Sequence, residues 1–233
     1  MMIHDTARMS RQEEIIHPDF HKALVLVAGC GMLGSWSALA IARCAQHVML
    51  FDHDVVEDVN SGNQAYNANG VGIPKVQALY ELGAGLPLSA HEGLFPIEAT
   101  PDSLRLASKH LFLDEDVPLI VVSAVDSFQA RMQIAAWARM HNATLFIDTR
   151  AMAEIAVVAC VPHEHIERYL RDECIDDAQA PDAPCGLHGT AYVGQYVAAL
   201  VTARINTHFR GLPVPFITVD DVGMGHRLRE EKL

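Results

Sequence analysis

The stretch that decides the fold is residues 24–34, Leu-Val-Leu-Val-Ala-Gly-Cys-Gly-Met-Leu-Gly. An apolar strand pattern runs directly into Gly29-x-Gly31-x-x-Gly34, and a helix-forming run follows. The glycines permit a tight turn, close approach of the backbone to a phosphate, and close packing of the helix on the strand. The stretch therefore predicts a βα unit whose helix N-terminus faces a nucleotide phosphate.

A second apolar strand pattern supports the same interpretation. It ends in Asp52, which follows Gly34 by 18 residues. In dinucleotide-binding folds a carboxylate at this point accepts hydrogen bonds from ribose hydroxyls. The nucleotide is therefore expected to contain adenosine, while these residues alone leave open whether it is ATP or a hydride-transfer cofactor.

The pattern of apolar runs predicts the fold class. Strand-like runs alternate with helical periodicity over the first 150 residues, which indicates parallel βαβ units. We predict an α/β fold, a doubly wound, Rossmann-like, mostly parallel sheet with helices on both faces, to which the C-terminal part adds antiparallel strands. The predicted strands are 23–28, 47–52, 88–94, 118–124, 144–148, 153–161 and 214–219. The predicted helices are 33–45, 74–84, 102–111, 127–141 and 190–208, and residues 172–188 are predicted to be a surface crossing loop.

Size and composition limit the class of protein. A chain of 233 residues with 50% hydrophobic content buries one substantial core, so we expect a single nucleotide-binding domain, residues 23–233, after an N-terminal arm, residues 1–22. A net charge of −12 argues against a nucleic-acid partner, because phosphate backbones are bound by clustered Lys and Arg. The arm has no apolar signal core, and the uncharged run 185–203 is interrupted by polar residues and glycines, so no membrane association is expected. Five scattered cysteines are typical of a reducing compartment, and we expect a cytoplasmic protein.

The context of the glycines is more specific than the glycines themselves. Residues 52–64, Asp-His-Asp-Val-Val-Glu-Asp-Val-Asn-Ser-Gly-Asn-Gln, resemble the D-x-D-x-V-x-x-x-N-L-x-R-Q segment of the ThiF/MoeB/HesA family. Further segments that resemble family motifs follow in the family's order: residues 8–12 (R-Y-x-R-Q), 72–75 (G-x-P-K), 124–131 (A-T-D-N-x-x-x-R), and 185–194, a cysteine- and glycine-containing segment before a helix. The resemblance spans about residues 8 to 205 and favours ATP over a hydride-transfer cofactor.

The resemblance implies a function. Members of this family are relatives of ubiquitin-activating enzymes and adenylate the C-terminal carboxylate of small ubiquitin-like proteins. The implied activity is that of an ATP-dependent adenylyltransferase acting on a ubiquitin-like protein of the sulfur-carrier type, or on a peptide, with ATP and Mg²⁺. Attack of a carboxylate on the α-phosphorus of ATP needs mainly positioning and charge stabilisation from the protein.

The resemblance also implies roles for individual residues. Asp52 would hold the ribose, Lys75 would contact the phosphates, and Asp126 would bind Mg²⁺, a hard ion that prefers carboxylate oxygen. Arg131 would support Asp126, and Arg11 would reach across a homodimer interface to the partner's ATP. The other residues implied in nucleotide binding are Gly29, Gly31, Gly34, Asp54, Asn60, Asn63 and Gln64.

Each of these residues also has an ordinary structural interpretation. Asp126 could cap the helix that begins near residue 127, Lys75 could be a solvated lysine, and Arg131 could pair with a surface acid. Cys185 could attack the acyl-adenylate as a thiolate. It could equally be a buried or loop thiol without a covalent role.

The sequence departs from the family pattern at Asn63, where the family has an arginine that helps to neutralise the triphosphate. Either another cation substitutes, for which Arg150 is the candidate, or adenylation is weak or absent. The second hypothesis is therefore a catalytically weak or inactive ATP-binding partner subunit. A hydride-transfer enzyme is a distant third.

A second departure concerns zinc. Many relatives hold a structural zinc with two Cys-x-x-Cys pairs, and this chain has none. Cys160 with His163 and Cys185 with His188 have ligand-like spacing. Because Cys185 is already accounted for by the family motif, a zinc site is not expected.

Overall fold

The computed structural model describes residues 10–95, 117–174 and 189–233, which form an α/β structure built on one eight-stranded sheet. The strands are β1 (Leu24–Ala28), β2 (His47–Asp52), β3 (Leu88–Glu92), β4 (Leu119–Ser123), β5 (Leu145–Met152), β6 (Ile155–Pro162), β7 (Ile217–Asp221) and β8 (His226–Glu231). The helices are α1 (Pro18–Lys22), α2 (Met32–Ile41), α3 (Lys75–Leu82), α4 (Phe128–Met140), α5 (Ile166–Asp172) and α6 (Ala191–Phe209). Short 3₁₀ turns lie at Asp58–Gly62, Ala68–Gly70 and His163–His165.

The strand order is β3-β2-β1-β4-β5-β6-β7-β8. Pairing is parallel from β3 to β5 and antiparallel from β5 to β8, which confirms the predicted fold class. β1 lies between β2 and β4, and all five of its apolar residues are buried, as expected for a central parallel strand. β2 and β3 are added on one side of β1, and β4 and β5 are added on the other side. Doubly wound folds bind ligands where the order of strands changes in this way, here between β1 and β4.

The two faces of the sheet are both covered. Val25 and Val27 of β1 belong to a core that also contains apolar residues of α2 and α6. Leu24 and Leu26 point to the opposite face, into a core with apolar residues of α4 and α5. The alternation of β1 side chains thus produces two helix layers, and this confirms the expected helices on both faces.

Several element boundaries differ from the predictions. β7 begins three residues later than predicted, and α5 follows β6 where no helix was predicted. β8 was missed because its sequence, HRLREE, has no buried apolar alternation; it is an edge strand whose residues are almost all exposed. The helix predicted at 102–111 and most of the crossing loop predicted at 172–188 lie outside the described residues.

The described part of the N-terminal arm is packed onto the domain. The His17 backbone N–H donates to Asn206 Oδ1 across 2.8 Å, and Asn206 Nδ2 donates to the Ile15 carbonyl across 3.1 Å. Phe20 of α1 is completely buried. The arm is therefore attached to α6 from Ile15 onwards. Across the described ranges, no helix combines the length and the apolar character that a membrane crossing requires.

Candidate functional site

A cleft of about 570 Å³ lies at the carboxyl ends of β1, β2 and β4, beside the reversal in strand order. The glycine loop after β1 forms one wall, and the end of β5 contributes to another. Acidic and basic side chains both line the cleft: Asp52, Asp54, Asp126, Lys75, Arg131 and Arg150. A polar crevice at this position is the usual ligand site of the fold.

The three glycines of the loop have different surroundings. A Cβ atom on Gly29, whose φ is +87°, would lie 2.6 Å from the Ala124 carbonyl oxygen, and one on Gly34 would lie 1.8 Å from the Gly29 carbonyl oxygen. A Cβ on Gly31 would have nothing within 4 Å. Gly29 and Gly34 are therefore needed for packing, whereas Gly31 leaves the backbone open at the N-cap of α2, where no side chain caps the helix.

Asp52 at the end of β2 braces the loop. Its Oδ2 accepts a hydrogen bond from the Cys30 backbone N–H across 2.6 Å, and its Oδ1 accepts one from the Asp54 backbone N–H across 2.8 Å. The side chain is largely buried yet still lines the cleft. Each carboxylate oxygen can accept a second hydrogen bond, so Asp52 retains capacity to bind a hydroxyl in the cleft.

Lys75 and Asp54 form an ion pair at the cleft. Lys75 is 8% exposed, and its Nζ lies 2.7 Å from Asp54 Oδ2. The hydrogen bond from Lys75 holds the pKa of the Asp54 carboxyl below its ordinary value. Because Lys75 is buried at the start of α3, the alternative of a solvated lysine is wrong. Its ammonium is an available cation in the cleft.

Arg131 of α4 is a largely buried residue that lines the cleft together with Asp126. It forms an ion pair with Asp148, which is completely buried in β5, and donates to the Thr149 carbonyl across 2.8 Å. Another N–H of the guanidinium donates to the Val125 carbonyl. Arg131 thus fixes the backbone immediately before Asp126. The alternative of a pair with a surface acid is wrong, since the partner acid is in the core.

Arg150 of β5 lies at the cleft wall. Its Nε donates to Asp148 Oδ2 across 2.6 Å, while Nη2 donates to Tyr169 Oη across 3.3 Å and to the Glu173 carbonyl across 3.2 Å. The guanidinium lies 5.0 Å from the centre of the Phe128 ring. Nη1 makes no hydrogen bond with any residue of the described ranges, and the Glu173 carboxylate lies 3.8 Å from it as an ion pair. Arg150 therefore presents a fixed cation with donor capacity to spare.

Asp126 lies three residues after the end of β4 and is exposed in the cleft. The N-cap of α4 is Ser127, whose Oγ accepts a hydrogen bond from the Ala130 N–H across 3.2 Å. The alternative that Asp126 caps this helix is therefore wrong. Its carboxylate makes no hydrogen bond or ion pair with the part of the chain that the structure describes, so its oxygens can bind a cation.

The carboxylates of Asp52 and Asp54 are a second set of oxygen ligands. One atom each of Asp52, His53 and Asp54 lies within 4.8 Å of the others. All three residues line the same cleft as Asp126. The donor set at this end of the sheet is thus rich in carboxylate oxygen, the ligand that Mg²⁺ prefers.

Residues 54–73 form a polar, glycine-rich segment that leaves the end of β2 beside the cleft. Only Asp54 of this segment lines the cleft, and the segment instead packs beside α2. Trp36 Nε1 of α2 donates to the Asn63 carbonyl across 3.1 Å, and the Ala65 N–H donates to Ser35 Oγ across 3.1 Å. The polar, glycine-rich composition thus belongs to a segment of short turns on the helix layer.

The three amide residues of this segment that the resemblance implies in nucleotide binding lie outside the cleft lining. Asn60 Oδ1 accepts from the Glu57 N–H across 2.8 Å, which caps a 3₁₀ turn. Asn63 Nδ2 donates to the Gly189 carbonyl across 3.0 Å. The Gln64 Oε1 atom is buried and has no hydrogen-bond partner among the described residues. Their implied contacts with a nucleotide stay predictions.

Of the remaining predicted residues, those that the structure describes lie outside the cleft lining. Arg11 is exposed ahead of α1 and does not line it. Cys185 and His188 lie outside the described residues. Cys160 is buried in β6, where burial raises the pKa of its thiol to about 12. Cys160 is therefore a protonated core thiol in this fold.

Sequence reasoning missed Asp148, which holds both arginines of the cleft wall. The signal was present, because an aspartate inside the apolar run Leu145-Phe-Ile-Asp148 must have a partner if the strand is buried. Tyr169 and Glu173 were missed as well. They reach Arg150 from α5 and the residue after it, 19 and 23 positions along the chain, and no local pattern predicts such contacts.

Comparison with known proteins decides the family. The sequence profile of the ThiF family matches residues 10–208. The chain belongs to the ThiF family. Ubiquitin-like modifier-activating enzyme 5 of Drosophila mojavensis is 28% identical over 180 residues, which are 67% of this chain and 45% of that protein. The enzyme of the same name from Caenorhabditis elegans is 30% identical over 116 residues, 47% of this chain and 27% of that protein. This ThiF chain thus spans less than half the length of these relatives.

Solved structures of low sequence identity share the fold. PaaA matches with a TM-score of 0.68 and 17% identity over 100% of this chain and 74% of its own. The E. coli tRNA N6-threonylcarbamoyladenosine dehydratase TcdA matches with a TM-score of 0.62 and 16% identity, over 88% of this chain and 95% of its own. E. coli MccB, crystallised with ATP, matches with a TM-score of 0.61 and 18% identity, over 92% of this chain and 64% of its own. These similarities show that the ThiF chain has the fold of this group.

Proposed function

We propose that this ThiF chain is an ATP-dependent adenylyltransferase that activates the C-terminal carboxylate of a ubiquitin-like protein or peptide as an acyl-adenylate. The observation that carries the proposal is the charge arrangement of the cleft. An open helix N-terminus, Lys75 and Arg150 offer positive charge for phosphates, and Asp126 offers a carboxylate without a partner in the described ranges. This is the combination that a magnesium triphosphate requires.

The described residues divide the binding of ATP between them. The backbone at Gly31 and the start of α2 would receive a phosphate, and Asp52 would hold the ribose. Lys75 would turn from Asp54 towards the phosphates, which carry more negative charge than one carboxylate. Asp126, together with Asp54 once it is released, would hold Mg²⁺, and the ion would neutralise part of the phosphate charge.

The chemistry needs little beyond this arrangement. An acceptor carboxylate is already ionised at neutral pH, so no general base is required. One of its oxygens forms a bond to the α-phosphorus, and the bond from that phosphorus to the pyrophosphate oxygen breaks. Fixed cations stabilise the charge that accumulates on the phosphoryl oxygens. Arg150 is proposed to supply the charge that Asn63 does not, because it lines the cleft and its Nη1 makes no hydrogen bond with the described residues.

The nature of the acceptor and the assembly rest on the relatives. The proteins that match over 180 residues are named ubiquitin-like modifier-activating enzymes, and one MccB structure contains MccA with an ATP analogue. These names support a protein or peptide carboxylate as the acceptor. The exposed position of Arg11 leaves it accessible to a second copy, which supports the proposal of a homodimer with Arg11 reaching the partner's ATP.

A second function, an ATP-binding subunit without catalysis, is favoured by one observation. Asn63 uses its amide for the Gly189 carbonyl and brings no charge to the cleft. In that case Asn63→Arg would create pyrophosphate exchange activity in a chain that otherwise has none. Exchange activity in the wild type would rule the second function out.

Exchange of labelled pyrophosphate into ATP tests the proposal, with candidate small proteins that end in Gly-Gly as acceptors. We expect acceptor-dependent exchange in the wild type and at least a hundredfold lower rate in Asp126→Ala, since removing a group that stabilises transition-state charge costs this order of magnitude. Asp58→Ala, which removes an exposed acid outside the cleft, is the matched control and should retain full activity. Undiminished exchange in Asp126→Ala would contradict its metal role.

A further inference from the structure

Glu173, directly after α5, lies between two arginines. Its Oε2 is 3.8 Å from Arg150 Nη1, and its Oε1 is 3.6 Å from Arg229 Nη2 on β8. The Glu173 side chain is 12% exposed, whereas that of Arg229 is 51% exposed. A largely buried carboxylate therefore connects the cleft wall to the edge strand of the sheet, and it touches neither arginine within hydrogen-bond distance.

The donors of Arg150 show which face of the guanidinium is available. Nε is committed to Asp148, and Nη2 is committed to Tyr169 and to the Glu173 carbonyl oxygen. Among the described residues, the acid nearest to Nη1 is Glu173. An anion in the cleft that binds Nη1 of Arg150 is therefore repelled by the Glu173 carboxylate, which lies near the same N–H donors.

The Glu173 carboxylate is held weakly for a buried acid. Burial is the largest influence on its carboxyl group, and with smaller contributions from Glu231 and Asp148 it raises the pKa despite the opposing effect of Arg150 and Arg229. The attraction of the two arginines therefore does not fully offset the cost of removing this carboxylate from water. A more strongly charged anion can replace such a carboxylate beside Arg150. Arg229, which also pairs with Glu231 and does not line the cleft, is the second cation within 4 Å of the Glu173 carboxylate.

We propose that Glu173 is a positioning residue that competes with the phosphate groups of ATP for Nη1 of Arg150, and that Arg229 draws it away when a phosphate binds. This inference rests on the proposed function of the cleft as an ATP site. It makes the affinity for ATP depend on two residues that line no part of the cleft. Glu173 lowers the affinity for ATP because it competes with the phosphates. Arg229 raises that affinity because it pairs with Glu173.

Calorimetric titration of ATP with Mg²⁺ into the full chain tests the inference. Glu173→Gln should bind ATP about three- to fivefold more tightly than the wild type, and Arg229→Gln should bind about threefold more weakly, the range expected for partly exposed ion pairs. Arg229 is half exposed, so its replacement leaves the fold intact and keeps the test independent of the stability of Glu173→Gln.

Matched controls separate competition from a general change of charge. Asp172→Asn removes a negative charge from the neighbouring residue, and Arg171→Gln removes an exposed positive charge from the same helix; both residues pair with each other rather than with Arg150. Each control should bind ATP within about 1.5-fold of the wild type, because exposed charges are screened. Shifts in the controls as large as those in Glu173→Gln and Arg229→Gln would overturn the inference.

The remaining outcomes distinguish the inference from the proposed function. If the wild type binds ATP and both Glu173→Gln and Arg229→Gln bind it equally well, Glu173 does not compete and the inference fails alone. If neither the wild type nor any variant binds ATP, the proposed function fails and the inference fails with it.

Discussion

Asn63 donates a hydrogen bond from Nδ2 to the carbonyl oxygen of Gly189, across 3.0 Å and 126 positions of sequence. The contact joins the segment after β2 to the residue that lies two positions before α6. Asn63 occupies the place where the resemblance to the family leads one to expect an arginine, and here the side chain serves as a connection between two parts of the fold. The loss of a cation at this position is thus accompanied by a structural contact.

Replacing Asn63 with alanine should weaken this connection. The Gly189 carbonyl would lose its amide partner, and we expect the free energy of unfolding to fall by about 1 kcal/mol, the usual cost of one net hydrogen bond. Urea denaturation followed by circular dichroism measures the change. Asn69→Ala, which removes an exposed amide from a nearby 3₁₀ turn, is the control and should change stability by less than about 0.5 kcal/mol.

Alanine substitutions in the glycine loop should separate packing from ligand approach. Gly34→Ala would place a Cβ 1.8 Å from the Gly29 carbonyl oxygen, so we expect a melting temperature several degrees lower or a failure to fold. Gly31→Ala meets no protein atom and should melt like the wild type. Its methyl group would instead obstruct a phosphate, and we expect at least tenfold weaker ATP binding by calorimetry. Unchanged binding in Gly31→Ala would contradict the phosphate site.

The buried pair of Arg131 and Asp148 should be costly to break. Arg131→Met leaves Asp148, which is completely buried, with Arg150 as its remaining charged partner, and we expect a loss of about 3–5 kcal/mol in the free energy of unfolding. Arg139→Met on the same helix removes an exposed pair with Glu167 and should cost less than about 1 kcal/mol. Similar losses in both variants, measured by urea denaturation, would refute the structural role of Arg131.

Stability should fall in weak acid because of His47. Burial, followed by the neighbouring His91, lowers the pKa of His47 from 6.5 to about 4. The unfolded chain binds this proton near pH 6.5 and the folded chain only near pH 4, so the stabilisation is complete above pH 6.5 and is lost as the pH falls towards 4. The loss is on the order of 3 kcal/mol at pH 4.

The matched variants for this pH dependence are two histidine-to-glutamine changes. His47→Gln keeps a side chain that can hydrogen-bond Ser89 Oγ, which lies 2.9 Å from His47 Nε2, and it should reduce the loss of stability between pH 6.5 and 4. Part of the loss should remain, because burial also lowers the pKa values of His91 and His208. His226→Gln replaces an exposed histidine of β8 and should leave the slope unchanged. A wild-type slope retained in His47→Gln would mean that the titration of His47 does not control this range.

The sequence allowed the fold to be predicted where a local pattern carries it. The apolar run before Gly29 reflects the need for a buried central strand that leads into a tight turn. Asp52 reflects the need for an acid at the end of the neighbouring strand. β8 escaped prediction because an exposed edge strand buries too little apolar surface to leave a periodic pattern.

The candidate site was predictable only in part, because its charges are arranged through long-range contacts. Asp126 and Lys75 could be predicted as cleft residues from motifs next to strand and helix ends. The bond from Asn63 to Gly189, and the position of Glu173 between Arg150 and Arg229, depend on how distant elements pack. Side-chain partners of this kind follow from the tertiary structure and leave no pattern in the local sequence.

The most direct test of the proposed function is whether the cleft binds ATP. Calorimetric titration with ATP and Mg²⁺ should give one site per chain. Lys75→Met should weaken binding at least tenfold, because it removes the buried ammonium that we propose to contact the phosphates. Tyr80→Phe, a change on an exposed face of the same helix, should bind like the wild type. If the folded wild-type chain shows no heat of binding with ATP at millimolar concentration, the cleft is not a triphosphate site and the proposed function is wrong.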